Sequence, residues 1–220
     1  MPVPDLEEAI AAFKSDLGSE QRYASFDYCY NYFRSTESAE LVRNLERSCL
    51  TLGFYLASWG MMRGSSFLLQ KSVRYLKDTV VYISEVDRSL WEIDVDVYDD
   101  SNMEKIMATY KGVRETMIKK EEAELTLVTK ILLGVFGFVP AFDNYFTSSF
   151  REMFKGRCGF RRVNLKSLNC IREFYESNKT TIDAISRQTY TLAFESGLHS
   201  QVNYPKAKII DMYGFMKGLK

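Results

Sequence analysis

Residues 127–146 read LVTKILLGVFGFVPAFDNYF, and this stretch says most about how the chain is built. Its apolar run contains no charged residue except Lys130, and the spacing predicts a helix over residues 121–136. A short turn then leads to one carboxylate, Asp143, among aromatic residues. Because a carboxylate in apolar surroundings is costly unless it is paired or used, Asp143 is the first candidate for a functional residue.

The patterns on both sides of this stretch are also helical, since apolar residues recur at helical spacing. Asp5 and Ser38 are candidate N-caps of two of these helices. The other predicted helices cover residues 4–14, 35–56, 65–83, 101–119, 144–154, 165–177, 181–196 and 204–216. Residues 89–100 alternate apolar and acidic side chains, but a lone strand has nothing to pair with, so we expect an extended acidic loop. The sequence therefore predicts a single all-α domain over residues 1–220.

Length and composition are those of an ordinary globular protein, with 220 residues, 46% hydrophobic and 26% charged. The net charge is zero, but residues 151–220 hold 13 Lys and Arg against 6 Asp and Glu, a balance of +7. The remainder holds 16 against 23, a balance of −7. A basic C-terminal part fits an anionic partner, with a solvated face as the alternative.

Several classes of site are not indicated. The four cysteines, Cys29, Cys49, Cys158 and Cys170, include no C-x-x-C pair, so we expect no metal and no iron–sulfur cluster. His199 is the only histidine, which argues against a Ser/His or Cys/His catalytic pair. The longest apolar run, residues 131–142, is too short for a membrane span, and the N-terminus lacks the pattern of a signal peptide. We expect a cytoplasmic protein with no cofactor and no membrane partner.

Residues 129–146 resemble a segment of the helix-hairpin-helix–GPD superfamily of DNA glycosylases. The resemblance lies in a buried helix, then Phe136-Gly137, then Pro140-Ala141-Phe142, then Asp143 at the start of a helix. It implies an all-α fold of two helical lobes with a cleft between them, double-stranded DNA as the partner, and Asp143 as the catalytic residue. It also implies excision of a base, in DNA repair or in anti-phage defence. The resemblance does not identify the base; a cytosine or adenine with a bulky modification is one candidate.

The chemistry of such an enzyme suits a carboxylate at this position. Breaking an N-glycosidic bond builds positive charge on the sugar, which a fixed carboxylate offsets while it orients an attacking water. At a helix N-terminus, backbone N–H groups stabilise the carboxylate.

The chain departs from the family in two places. The hairpin of the family carries glycines that approach a phosphate, whereas residues 118–125, IKKEEAEL, have none. The lysine nucleophile of bifunctional members would fall near Leu125, a position that neither Lys119, Lys120 nor Lys130 occupies. The resemblance therefore implies a monofunctional glycosylase that leaves an abasic site.

Further candidates surround Asp143 in this hypothesis. Trp59 and Arg63, in the glycine-bearing segment 58–64, and Tyr145 are candidates for the substrate pocket. The DNA-binding candidates are basic residues, namely Lys119, Lys120, Lys155, Arg157, Arg161, Arg162 and Lys166. Each residue also has an ordinary structural explanation: Asp143 as an N-cap, the aromatic residues as packing, and the basic residues as a solvated face.

Two other functions stay open at this point. A non-catalytic helical protein-interaction module predicts that Asp143 is exposed or merely caps a helix, with no cleft beside it. A nucleic-acid-binding module without chemistry predicts a basic face without a pocket for a base. The glycosylase hypothesis requires Asp143 in a cleft, with basic residues on the same side.

Overall fold

A computed structural model describes residues 3–15, 17–119 and 124–219. Lys120 and part of the glycine-free segment 118–125 lie outside these residues. Within them the chain is mostly helical, as predicted, with eleven α-helices and one small sheet. The helices are α1 (Leu6–Ser15), α2 (Ser25–Ser35), α3 (Ser38–Arg43), α4 (Leu45–Ser58), α5 (Lys77–Glu85), α6 (Asp100–Met117), α7 (Leu125–Phe136), α8 (Asn144–Met153), α9 (Leu165–Ser177), α10 (Lys179–Gln188) and α11 (Lys206–Gly218).

The apolar run predicted to be a helix forms α7, the central helix of the core. Every residue from Leu127 to Phe136 is buried, and α7 packs against α2, α4 and α6. Gly134 allows the close approach of α4, because a Cβ there would lie 2.3 Å from the ring of Tyr55. The helix ends at Gly137, which adopts the left-handed conformation (φ 75°) that favours glycine.

The helix that follows Asp143 packs closely on the C-terminal helix. Two glycines of α11 make this possible: a Cβ at Gly214 would lie 2.5 Å from the ring of Phe146, and one at Gly218 would lie 2.2 Å from the backbone of Tyr145. The spacing of four residues puts both glycines on one face of α11. The contact fixes the first turn of α8, which carries Tyr145.

Three predicted elements differ in the structure. Residues 65–83 are not one helix: two 3-10 turns, Phe67–Gln70 and Val73–Leu76, precede α5. The predicted helix 35–56 divides at Asn44 into α3 and α4, and Glu37 rather than Ser38 is the N-cap residue. The predicted helix 181–196 ends at Gln188, and the chain continues into an antiparallel hairpin of β1 (Tyr190–Leu192) and β2 (His199–Asn203).

The acidic segment 89–100 contains no strand and forms two 3-10 turns, Arg88–Glu92 and Val95–Val97. Asp94 accepts hydrogen bonds from the backbone N–H groups of Lys206 (2.7 Å) and Ala207 (2.9 Å), at the start of α11. Among the described residues no group of His, Cys, Asp and Glu could hold a metal ion. None of the described helices has both the length and the apolar character needed to cross a membrane.

Candidate active site

Asp143 is the N-cap of α8, which is the ordinary structural role that the sequence also allowed for this residue. Its Oδ1 accepts a hydrogen bond from the backbone N–H of Phe146 at 3.0 Å. The other oxygen, Oδ2, does not take part in the cap. It lies 3.2 Å from the Nζ of Lys130, with the side chains of Asp143 and Lys130 only 14% and 4% exposed. The carboxylate is thus both a helix cap and half of a largely buried ion pair.

The partner of Asp143 is Lys130, a residue that the sequence analysis did not include among the pocket residues. It lies in α7, thirteen positions before Asp143, and the turn at residues 137–142 folds the chain back so that the two side chains meet. The backbone carbonyl of Lys130 accepts a hydrogen bond from the hydroxyl of Tyr55 at 2.9 Å. Its ammonium group also lies 5.1 Å from the ring centroid of Trp59, within cation–π range.

The pair opens onto a cavity of about 620 Å³, a volume typical of small-molecule sites. All three predicted pocket residues, Trp59, Arg63 and Tyr145, line this cavity together with Asp143. Trp59 is half-buried, Arg63 is exposed, and Tyr145 is 41% exposed. The remaining walls come from distant parts of the chain, notably from Arg22 and Tyr23 before α2 and from Phe215 and Leu219 at the C-terminus.

Buried hydrogen bonds hold the turn that carries Asp143. The Oγ1 of Thr129 accepts the N–H of Phe142 at 2.8 Å, and the Oγ1 of Thr126 donates to the carbonyl of Phe142 at 3.0 Å. The Oδ1 of Asp211 in α11 accepts the N–H of Ala141 at 3.0 Å. Side chains of α7 and of α11 therefore both bind the backbone of this turn, so these two helices fix the position of Asp143 together with its own helix, α8.

Trp59 lies in an aromatic and cationic environment. Its ring is 5.0 Å from that of Tyr23 and 6.4 Å from that of Phe13. A second ammonium group, that of Lys208, lies 4.2 Å from the ring centroid and pairs with Asp211 at 2.8 Å. The indole Nε1 of Trp59 is buried and has no hydrogen-bond partner among the described residues.

Two of the basic candidates lie beside this cavity. Arg161 and Arg162 line a groove of about 670 Å³, and Thr126 lines both the groove and the cavity of Asp143. The preceding residue, Phe160, has a left-handed backbone (φ 48°), which is unfavourable for a bulky side chain. Its buried ring packs on those of Phe142 and Phe146, and this packing stabilises the strained backbone. The two exposed arginines, Arg161 and Arg162, follow Phe160 directly in the chain.

The other described basic candidates line neither the cavity nor the groove. Arg157 forms an ion pair with Glu173, and Lys119 pairs with Asp78 at 3.7 Å. Lys155 and Lys166 are exposed. These residues belong to the solvated surface rather than to the region around Asp143.

A second cavity of about 620 Å³ lies between α2 and α4, with Phe54 and Phe194 exposed at its edge. Its charged side chains among the described residues are Glu20, Arg22 and Arg47, and these form no ion pair like that of Lys130 and Asp143. The cavity of Asp143 is therefore the better candidate for chemistry, although the cavity between α2 and α4 is as large.

Comparison of the chain with protein-family models, with curated proteins and with solved structures finds no match. The site itself therefore carries the indication of function. That site combines a fixed carboxylate, an ammonium group beside it, aromatic walls and an adjoining pair of arginines. Such a combination can stabilise a developing positive charge, hold a planar ring and contact a phosphate.

Proposed function

We propose that this chain is a DNA glycosylase that hydrolyses the N-glycosidic bond of a modified base and leaves an abasic site. The observation that carries the proposal is the placement of Asp143: a carboxylate in an aromatic-walled cavity, fixed by α8 and paired with Lys130. The resemblance of residues 129–146 to the helix-hairpin-helix–GPD glycosylases agrees with this reaction, and the two-lobed fold of that family is part of the proposal.

In this mechanism the target nucleotide leaves the duplex and its base enters the cavity, because the bond is inaccessible in the stack. Trp59, Tyr23 and Tyr145 provide aromatic surface for the base. As the bond to the base lengthens, positive charge grows on the sugar, and the carboxylate of Asp143 stabilises it. The same carboxylate orients the attacking water.

Lys130 has two roles open to it in this scheme. As an ammonium group it can donate a hydrogen bond to the departing base, which helps the base to accept the bonding electrons. As a free amine it could attack the sugar and form a Schiff base, but its Nζ is already held 3.2 Å from the carboxylate of Asp143 and lies over the ring of Trp59. We therefore infer that water is the nucleophile, as the sequence predicts.

DNA contact is assigned to the groove beside the cavity. Arg161 and Arg162 are exposed there and are separated from Asp143 by Thr126, which lines both surfaces. Arginine contacts to phosphates would set the position of the duplex without selecting its sequence. The alternative of a nucleic-acid-binding module without chemistry retains this groove but gives no role to the ion pair in the cavity.

The test is incubation with modified and unmodified DNA, followed by alkali to cut at abasic sites. We expect cuts only after alkali or heat, no protein–DNA adduct with borohydride, and loss of activity by at least about 100-fold in Asp143→Asn, the scale of losing one transition-state electrostatic contact. Asparagine is as good an N-cap as aspartate, so the helix start is kept.

Asp99→Asn is the matched control, because Asp99 caps α6 through the N–H of Asn102 at 2.7 Å and lines neither the cavity nor the groove. Its activity should equal that of the wild type. Excision at the wild-type rate by Asp143→Asn would show that another carboxylate is responsible. A borohydride-stable adduct that disappears in Lys130→Ala would keep the glycosylase proposal but make the enzyme bifunctional.

A further inference from the structure

We propose that the cavity of Asp143 selects a base that carries an anionic or acceptor-rich substituent and rejects cationic alkylated bases. This inference rests on the proposed function, since it names the class of base that the cavity receives. Three observations support it: the excess of positive charge on the cavity walls, the hydrogen bonds that Asp143 already accepts, and the two ammonium groups beside the ring of Trp59.

Positive charge dominates the cavity walls. Among the described residues, the charged side chains that line it are Arg22, Arg63 and Lys130 against Asp143 alone. Among the described residues neither Arg22 nor Arg63 forms an ion pair with a carboxylate. A ligand with negative charge would supply the missing partner, whereas a cationic ligand would meet uncompensated positive charge.

The one carboxylate that the described residues give the cavity already has a hydrogen-bond partner on each oxygen. Asp143 accepts the N–H of Phe146 with Oδ1 and the ammonium group of Lys130 with Oδ2. Because Lys130 neutralises Asp143 in the resting site, the carboxylate gives a cationic base little net attraction before the bond breaks. The charge that Asp143 stabilises is the one that develops on the sugar, so it does not compete with recognition of the base.

The ring of Trp59 is already in contact with two cations, so it is not a free cation–π site for a ligand. Its ring already has the ammonium groups of Lys130 and Lys208 within 5.1 Å and 4.2 Å of its centroid. Because both ammonium groups already lie within cation–π range of this ring, a cationic base stacked on it would gain little further attraction.

Arg63 is the residue best placed to read the substituent. It is exposed and lies on the cavity wall, in the turn that begins at Trp59. A guanidinium group binds a carboxylate or a similar planar anion through two parallel hydrogen bonds. Arg63 is therefore assigned to specificity rather than to the reaction at the sugar.

The experiment uses three duplexes that differ only in one cytosine, placed opposite cytosine so that none of the forms is Watson–Crick paired: 5-carboxylcytosine (anionic), 5-methylcytosine (neutral) and 3-methylcytosine (cationic). A 2′-fluoro sugar at that nucleotide slows cleavage, so binding to the wild-type protein is measured separately from excision. We expect affinity to fall in that order, with about tenfold between the carboxyl and methyl forms, the scale of one charge-assisted contact. The unmodified duplex gives the baseline.

The variant Arg63→Gln should remove about that tenfold preference, so that the ratio of the affinities for the carboxyl and methyl forms approaches one. Arg43→Gln is the matched control, because it removes the same charge at an exposed position outside the cavity and should keep the preference. Affinity that is highest for 3-methylcytosine, equal for all three bases, or unaltered in its order by Arg63→Gln would overturn the inference.

Excision on matching duplexes without fluorine separates the two proposals. If the binding order is as expected but no base is ever released, the glycosylase proposal fails and the specificity of the cavity stands. If bases are released with a preference for the cationic form, the inference about the substrate fails and the glycosylase proposal stands.

Discussion

At the scale of single residues, Lys130 and Asp143 depend on each other for stability as well as for chemistry. Both side chains are largely buried, and the Nζ of Lys130 lies 3.2 Å from the Oδ2 of Asp143. Removing one partner of such a pair leaves the other charge uncompensated, which costs about 3–5 kcal/mol when burial is complete. The residual exposure of Asp143 lowers that cost for the Lys130 variant, because water still reaches the carboxylate.

We therefore predict that Lys130→Met lowers the free energy of unfolding by about 1–3 kcal/mol and that Asp143→Asn lowers it by a similar or larger amount. The double variant should be more stable than the sum of the two losses predicts, with a coupling energy of about 1–3 kcal/mol. Urea unfolding of the four proteins measures this cycle. Additive losses would mean that the two groups do not interact in solution.

The sequence and the structure agree on which residues face one cavity but not on how they interact. Trp59, Arg63, Tyr145 and Asp143 were chosen from an aromatic turn and a carboxylate, and all four line the same cavity. Helical spacing puts Lys130 about three and a half turns before Asp143, and only a turn that folds the chain back brings the two side chains together, as the structure shows. The walls formed by Tyr23 and Phe215 come from tertiary packing over long distances in the chain, which a local pattern does not contain.

At the scale of secondary-structure elements, the connection between α7 and α8 decides where the carboxylate lies. Thr129 of α7 holds this connection through the N–H of Phe142. A valine has the shape of threonine but cannot accept that hydrogen bond, so the buried N–H would lose its partner.

Thr129→Val should therefore lower the free energy of unfolding by about 1–3 kcal/mol and slow base excision, because Asp143 follows Phe142 directly. Thr109→Val is the matched control: Thr109 is also buried in a helix, but within the described part of the chain its hydroxyl bonds only to the carbonyl of Lys105 in the same helix. Thermal unfolding and single-turnover excision of both variants test this. Equal effects of the two substitutions would indicate that the turn does not depend on Thr129.

Helix boundaries are predicted correctly where the sequence contains a recognisable capping motif, and incorrectly where it does not. The prediction for α9, residues 165–177, matches the structure, since Asn164 and Ser167 form a capping box that begins it. Residues 65–83 kept a helical spacing of apolar residues, yet Ser66 caps the first 3-10 turn with its own side chain and Leu69 is 51% exposed. Serine competes with a continuous helix for backbone hydrogen bonds, and spacing alone does not reveal this competition.

The hairpin of β1 and β2 was missed for a different reason. It is held by contacts with α2: the N–H of Leu192 donates to Asp27 at 2.8 Å, and the hydroxyl of Thr191 donates to Asn31 at 2.8 Å. These partners are more than 150 residues away in the sequence. The β-branched and aromatic residues Thr189, Tyr190 and Thr191 favour a strand locally, but they follow α10 without a glycine or proline to mark its end.

At the scale of the whole molecule, the uneven charge predicts how binding to DNA responds to salt. Residues 151–220 carry +7, and within them Arg161 and Arg162 lie beside the cavity. We predict that affinity for duplex DNA falls steeply with salt, and that Arg161→Ala with Arg162→Ala reduces the slope of log K against log salt by about two. The loss should be similar for all DNA sequences, because phosphate contacts carry no sequence information.

Lys179→Ala with Arg187→Ala is the matched control for this measurement. It removes the same charge from the same part of the chain, but from α10, where both residues are exposed and line neither the cavity nor the groove. Its slope should stay close to that of the wild type. Unchanged affinity in the Arg161 and Arg162 variant would put the DNA on another surface.

Global stability should depend on pH through Asp27, which joins α2 to the hairpin and to the start of α11. Burial raises the pKa of its carboxyl from 3.8 to about 7, although hydrogen bonds from Tyr204 and Leu192 and the charge of Lys208 oppose the rise. Between these values the folded state holds a proton that the unfolded state has released. The free energy of unfolding therefore falls as pH rises from about 4 to about 7.

We predict that the protein loses roughly 2 kcal/mol of stability between pH 5.5 and pH 7.5, at about 1.4 kcal/mol for each pH unit below the folded pKa. Asp94, whose pKa burial raises to about 6, contributes in the same direction over the lower part of the range. Carboxyls with a lowered pKa, such as those of Asp5 and Glu173, act in the opposite direction only below about pH 4. Asp27→Asn should flatten the dependence, since the amide does not titrate and can still accept the N–H of Leu192. Urea unfolding at the two pH values measures the difference, and an equally steep dependence in Asp27→Asn would assign it to another group.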